Sequence, residues 1–186
     1  NAPEVSFHRN NTYTSVLDPS TIITCWIGLS HVTAEAGTLE IVPGSHQWRC
    51  SDSVRFLHAP KDDYRAPLWQ AAKEAGAEHP AVIKIEISPG SGVFLHGDLW
   101  HGADRNRTRQ IRRSFAVSTL SAHTQFQPLG VGTGYIFNRY RNLMGDRALD
   151  ESFYPILWTK AGYKTAFVDD YCRDAMADTI QTQSTV

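Results

Sequence analysis

Three cysteines in 186 residues, Cys25, Cys50 and Cys172, with no CxxC pair among them, leave little scope for cysteine chemistry. An odd, widely spaced set argues against a disulfide framework and against a thiolate zinc site. Free thiols in a reducing compartment are the expectation. An excess of one charge is missing too: 18 Lys and Arg face 19 Asp and Glu, for a net charge of −1 with eight His neutral. Without a basic patch, a nucleic acid has no electrostatic footprint to follow. No run approaches the roughly 20 apolar residues that a membrane-spanning helix needs. Nor does the sequence open on a basic start, an apolar run and a small-residue cleavage site. A cytoplasmic chain with no nucleic-acid and no membrane partner is expected, and nothing in the sequence specifies an oligomeric state.

What is present is ordinary globular composition, 41% hydrophobic and 20% charged. That is enough for one domain over residues 1–186 with a sizeable core. The chain opens at Asn1 and runs into a strand-like segment almost at once. A domain usually begins less abruptly, so an N-terminal portion is expected to be missing. Residues 5–120 read as short strands between Gly, Pro, Asn and Asp turns. Thr21–Leu29, Thr38–Val42, Gly92–His96 and Arg112–Leu120 are predicted strands. Ala81–Ile87 alternates, with Val82, Lys84 and Glu86 on one face and Ile83, Ile85 and Ile87 on the other. Pro67–Ala77 reads as an inserted helix ending near Gly76, and Ala166–Ile180 as a terminal one. Many short strands in series with few helices point to a mainly β jelly roll with flanking helices.

Histidine carries the chemical information. Phe94–Gly102 holds His96, Asp98 and His101, and Arg112-Arg113-Ser114 follows after a polar loop. Far upstream stands Phe7-His8-Arg9-Asn10-Asn11-Thr12-Tyr13. On a strand, residues at i and i+2 share a face, so an HxD pair can offer an imidazole and a carboxylate to one ion. A second His from a distant strand completes the two-His, one-carboxylate face of non-haem iron(II) oxygenases. Arg112 and Ser114 also share a face, continued by Ala116 and Ser118. A guanidinium fork beside a hydroxyl suits a carboxylate.

Four blocks in order carry a resemblance: Phe7–Tyr13, Thr24–Leu29, Gly37–His46, and His101–Arg113. Together they resemble the phytanoyl-CoA dioxygenase family across roughly residues 5–120. The resemblance implies a double-stranded β-helix, in agreement with the jelly roll. It implies iron(II) as cofactor, 2-oxoglutarate as cosubstrate, and dioxygen and a small organic molecule as reactants. His8 and His101 are implied iron ligands. Asn106 and Arg112 stand at the family's offsets of five and eleven residues from the second His. Arg112 is the implied anchor of the distal carboxylate of 2-oxoglutarate, with Ser114 as its helper. Trp26 is implied to line the cosubstrate or substrate pocket.

One position departs. Asn10 stands where the family carries the Asp ligand, which makes the third ligand a neutral amide. Three consequences are open: an active enzyme with an altered ligand, a pseudoenzyme that keeps only the scaffold, or a chloride site. In the related halogenases, however, Ala or Gly stands there. A rival ligand set, His96 and Asp98 with Arg107 eleven residues on, needs a further His such as His123 and leaves the His8 block without a role. His96 and Asp98 are instead expected to orient a ligand imidazole. His46 is expected to be structural. Trp26, Trp100 and Trp158 are expected in the core, and Tyr13 in the core or the pocket. The reaction implied is hydroxylation of an unactivated C–H bond with release of succinate and carbon dioxide. The alternatives are a silent jelly-roll binding protein, favoured by Asn10, and a metal-dependent cupin isomerase, which has no need of Arg112.

Overall fold

The computed structural model describes residues 3–14, 17–50, 63–127, 147–171 and 173. Nine strands appear among them: β1 (Val5–His8), β2 (Leu17–Asp18), β3 (Ile23–Gly28), β4 (Leu39–Ile41), β5 (Ile83–Lys84), β6 (Gly92–His96), β7 (His101–Ala103), β8 (Ser114–Thr119) and β9 (Gln125–Phe126). One helix, α1 (Ala66–Glu74), is inserted between β4 and β5.

The strands form a four-stranded sheet in the order β1-β7-β4-β5, a three-stranded sheet in the order β6-β3-β8, and a β2-β9 ribbon. Every pairing is antiparallel. Neighbours in each sheet come from distant parts of the chain, as the crossing connections of a jelly roll require. Alternation explains the shared core. On β3, Thr24, Trp26 and Gly28 are buried while Ile23, Cys25 and Ile27 are more open. Trp26 then packs with Val32, Leu39, Leu95 and Leu99, which joins the two sheets.

The four-stranded sheet is backed by α1. Its Leu68, Ala71 and Ala72 lie at helical spacing and are buried. Leu68 and Ala71 pack with Phe7, Val42 and Trp100. Pro67 suits the first turn, where no intrahelical N–H bond is lost. Gly76, at φ +68°, turns the chain away after the last turn.

The inserted helix and Gly92–His96 stand where they were expected, and the other long strands are trimmed at their ends. Ala81–Ile87 differs. It pairs over Ile83–Lys84 only, with a separate bridge from Ile87 to Val32. Lys84 lies 3.5 Å from Glu40 on β4, and Ile83 is exposed. Of the terminal helix, 166–171 and 173 are helical and the remainder lies outside the described residues, as does Cys172. Cys25 and Cys50 are free and half-buried. Trp100 and Trp26 belong to the cores as expected, but Trp158 is 71% exposed.

Candidate metal and cosubstrate site

β1 and β7 are paired so that His8 and His101 are direct Cα partners, each at the end of its strand. Cross-strand partners on one face bring their side chains into contact, and the two rings lie 4.3 Å apart between centroids. Each imidazole is oriented in the same way. His8 Nδ1 lies 2.8 Å from the Ser6 carbonyl oxygen, and His101 Nδ1 lies 2.8 Å from that of Leu99. A carbonyl can only accept, so both Nδ1 atoms carry a proton, and in a neutral ring Nε2 is then the nitrogen with the lone pair. Burial pushes the His101 pKa down, against a smaller upward pull from the Leu99 carbonyl. Burial thus favours the neutral imidazole of His101, the form that binds a metal.

His96 and Asp98 do not orient either ring, contrary to expectation. The two Nδ1 atoms are already held by backbone. His96 instead accepts the Asp98 N–H at 3.1 Å and faces the His46 ring at 5.2 Å. All of this lies on the outer, exposed side, because His96 pairs with the outward Ile23.

Asn10 is not on the strand. The chain leaves β1 at His8, and Asn10 opens a 3-10 turn that runs to Thr14. The i, i+2 strand geometry expected for the HxD pair is therefore absent. A tertiary bond orients Asn10 instead: Nδ2 donates to Thr24 Oγ1 on β3 at 3.0 Å. Thr24 Oγ1 in turn lies 2.8 Å from Ser118 Oγ on β8. With Nδ2 so engaged, Oδ1 is the amide atom that could coordinate a cation. Two imidazole nitrogens and an amide oxygen fit a divalent cation in donor type, with one negative charge fewer than a carboxylate set supplies. No cluster of three His, Cys, Asp or Glu suited to a metal occurs among the described residues.

Arg112 precedes β8 and lies over Trp26, with its guanidinium carbon 6.0 Å from the ring centroid. It is half-buried, burial pushes its pKa down, and no carboxylate pairs with it among the described residues. A desolvated cation without an anion is costly unless a ligand supplies one. Ser114 lies beside it, paired with Gly28, and Ala116 and Ser118 pair with Trp26 and Thr24. The small, polar face predicted for β8 therefore meets the inward face of β3. Arg113 is exposed, as expected.

Asn106 is buried and braces the loop that leads to Arg112. Its Nδ2 donates to the Gln110 carbonyl, and its Oδ1 accepts from the Thr108 N–H and hydroxyl at 2.9 and 2.8 Å. Tyr13 packs edge-on against His8, with ring centroids 5.7 Å apart, and burial raises its hydroxyl pKa. Beside Ser118 opens a cavity of about 880 Å³. Phe153, Leu157 and Trp158 wall it, which accounts for the exposure of Trp158.

A sequence model of the family described as Phytanoyl-CoA dioxygenase (PhyH) matches residues 1–114, more than half of the chain. The chain belongs to this family. Among curated PhyH relatives, the dioxygenase trt7 of Aspergillus terreus is 29% identical over 133 residues, covering 68% of this chain and 38% of that protein. Human peroxisomal phytanoyl-CoA dioxygenase is 26% identical over 109 residues, covering 58% and 31%. This chain thus spans well under half the length of those relatives. Among solved structures, the non-haem α-ketoglutarate-dependent carbocyclase SnoK from nogalamycin biosynthesis superposes with a TM-score of 0.57 at 25% identity, over 80% of this chain and 54% of that one. The epimerase SnoN, solved with Fe3+, α-ketoglutarate and nogalamycin RO, superposes at 0.52 and 22% identity, over 70% and 47%. The jelly-roll fold is common to them. Several relatives are named dioxygenases.

Sequence reasoning passed over one residue of the site, Thr24, and one of the sheet that carries it, Glu40. Thr24 lies two residues before Trp26 on the same strand face, a period-2 signal that was available. Glu40 gave no signal. It is fully buried on β4 and bonded by Arg65 at 2.8 and 2.9 Å and by the Tyr64 hydroxyl at 3.1 Å.

Proposed function

We propose that this chain is the site-bearing part of an iron(II)- and 2-oxoglutarate-dependent dioxygenase that hydroxylates a small organic substrate, with residues 1–186 as one oxygenase domain. The observation that carries the reading is the His8–His101 pair, two imidazoles 4.3 Å apart between centroids on paired strands, each with Nδ1 held by a backbone carbonyl. His8, His101 and the Asn10 amide oxygen would hold iron(II). When bound, iron would couple the oxidative decarboxylation of 2-oxoglutarate to oxidation of the substrate. Dioxygen supplies one oxygen atom to succinate and one to the new C–OH, and carbon dioxide leaves.

Arg112 binds the distal carboxylate through its fork of donors, and Ser114 adds a hydroxyl. Trp26 forms the floor beneath the guanidinium and keeps water from it. The cavity beside Ser118 is large enough for a drug-sized molecule, since such pockets run to about 300–1,000 Å³.

Asn10 supports a second reading, a scaffold disarmed at one ligand. An anaerobic Fe(II) titration with 2-oxoglutarate, in this chain and in Asn10→Asp, separates the two. The readout is the visible charge-transfer band of chelated 2-oxoglutarate. A band in both chains is expected. A band in Asn10→Asp alone would make the disarmed scaffold correct. No band in either folded chain would overturn the ligand assignment.

A further inference from the structure

We propose that Thr24 and Ser118 are positioning residues that select which atom of the Asn10 amide faces the imidazole pair. This rests on the oxygenase reading above. An amide nitrogen donates and cannot coordinate a cation, and an amide oxygen accepts and can. A threonine hydroxyl has one proton to give and two lone pairs to offer. In the structure Asn10 Nδ2 donates to Thr24 Oγ1, and Thr24 Oγ1 lies 2.8 Å from Ser118 Oγ.

Two polarities satisfy these contacts. If Thr24 gives its proton to Ser118, it shows only lone pairs to Asn10. The amide nitrogen is then held on Thr24 and the oxygen is left for the ion. If Ser118 donates to Thr24, the Thr24 proton is available to Asn10. The amide can then turn over, with its oxygen on Thr24 and its nitrogen toward the imidazoles. Only the first polarity excludes the turned-over amide, so Ser118 acts as the acceptor at the end of the relay.

A carboxylate inverts the requirement. Both of its oxygens accept, so Thr24 must donate into it and Ser118 must donate to Thr24. Whichever carboxylate oxygen Thr24 holds, the other is left for the ion. The hydroxyl pair therefore matters more to Asn10 than to an acidic residue at the same position. The pair belongs to β3 and β8 and is in direct register, Thr24 opposite Ser118. Nothing in the strand pairing itself demands hydroxyls there, since the ladder is made by backbone.

Anaerobic Co(II) titration of the 186-residue chain, followed by the visible d–d absorption of the bound ion, tests this without turnover. Thr24→Val and Ser118→Ala are each placed in the parent chain and in Asn10→Asp. Loss of one outer partner of a metal ligand typically costs about 10- to 100-fold in affinity. The expectation is at least a tenfold loss for each variant in the parent and threefold or less in the Asn10→Asp background. Thr24→Ser should restore parental affinity. Equal losses in the two backgrounds, or no loss in the parent, would overturn the proposal and reduce the pair to packing. A parent that binds no Co(II) beside an Asn10→Asp chain that does would also overturn it. If neither chain binds Co(II) while both remain folded by circular dichroism, the oxygenase reading fails and the relay with it. His-dependent binding in both chains without the background difference sinks the relay alone.

Discussion

His8 and His101 sit opposite each other across the β1–β7 ladder with their rings 4.3 Å apart, and neither has a free Nδ1. Backbone carbonyls, not acidic side chains, fix both tautomers. His101→Ala and His8→Ala are expected to abolish iron-dependent consumption of 2-oxoglutarate and the charge-transfer band together. Consumption at the parental rate in either variant would remove that residue from the ligand set.

Arg112 is the half-buried cation over Trp26 for which no carboxylate partner occurs among the described residues. Hydrogen bonds to a charged group are worth about 1.5–3 kcal/mol. Arg112→Ala should therefore raise the 2-oxoglutarate concentration needed for half-saturation by roughly ten- to hundredfold. Arg112→Lys should restore little, because a point charge lacks the planar fork. A half-saturation point unmoved in Arg112→Ala would indicate a different anchor.

Replacing the neutral ligand restores a charge. Asn10→Asp should tighten Fe(II) binding in an anaerobic competition titration, by at least tenfold. The attraction of a carboxylate for a divalent cation is far stronger than that of an amide dipole. Equal affinity in the two chains would mean that residue 10 does not touch the ion.

Glu40 ties β4 to the start of α1 through Arg65 and Tyr64, and to β5 through Lys84. β4 lies against β7, with Glu40 opposite Gly102 and Ile41 opposite His101. Removing one member of a buried ion pair leaves the rest uncompensated, at a cost of about 3–5 kcal/mol. Glu40→Ala should lower the urea midpoint by a matching amount, with loss of metal binding only where the fold is lost. A midpoint unchanged within error would contradict the burial of this cluster.

Gly37 takes φ +71°, and a side chain there would run into the backbone of Asp104, Arg105 and Asn106. That segment opens the loop that delivers Arg112. Gly37→Ala should destabilise the fold by at least about 1 kcal/mol, from the left-handed backbone and the clash together. A thermal melt indistinguishable from the parent would show that the loop can move aside.

Much of this was legible because it rests on short-range pattern. The turn residues and alternation along β3, β6 and β8 mark strands, and the period of two explains why Arg112 and Ser114 fall together. The offset from His101 to Arg112 survives because a braced loop of set length joins β7 to β8, with Asn106 as the brace. Trp158 was misread because a local pattern says which faces exist, not what stands opposite them: it walls an open cavity.

The amino-acid sequence by itself located the long strands, the two histidines and the arginine proposed for the site, and the amide at position 10. Only the tertiary structure decided how that amide is used. A strand would have aligned Asn10 with His8 through local geometry. The chain instead turns out of β1, and a hydroxyl 14 residues away on the opposite sheet holds the nitrogen. Whether an amide offers its oxygen or its nitrogen depends on the nearest donor and acceptor in space, and that neighbour is set by the packing of two sheets.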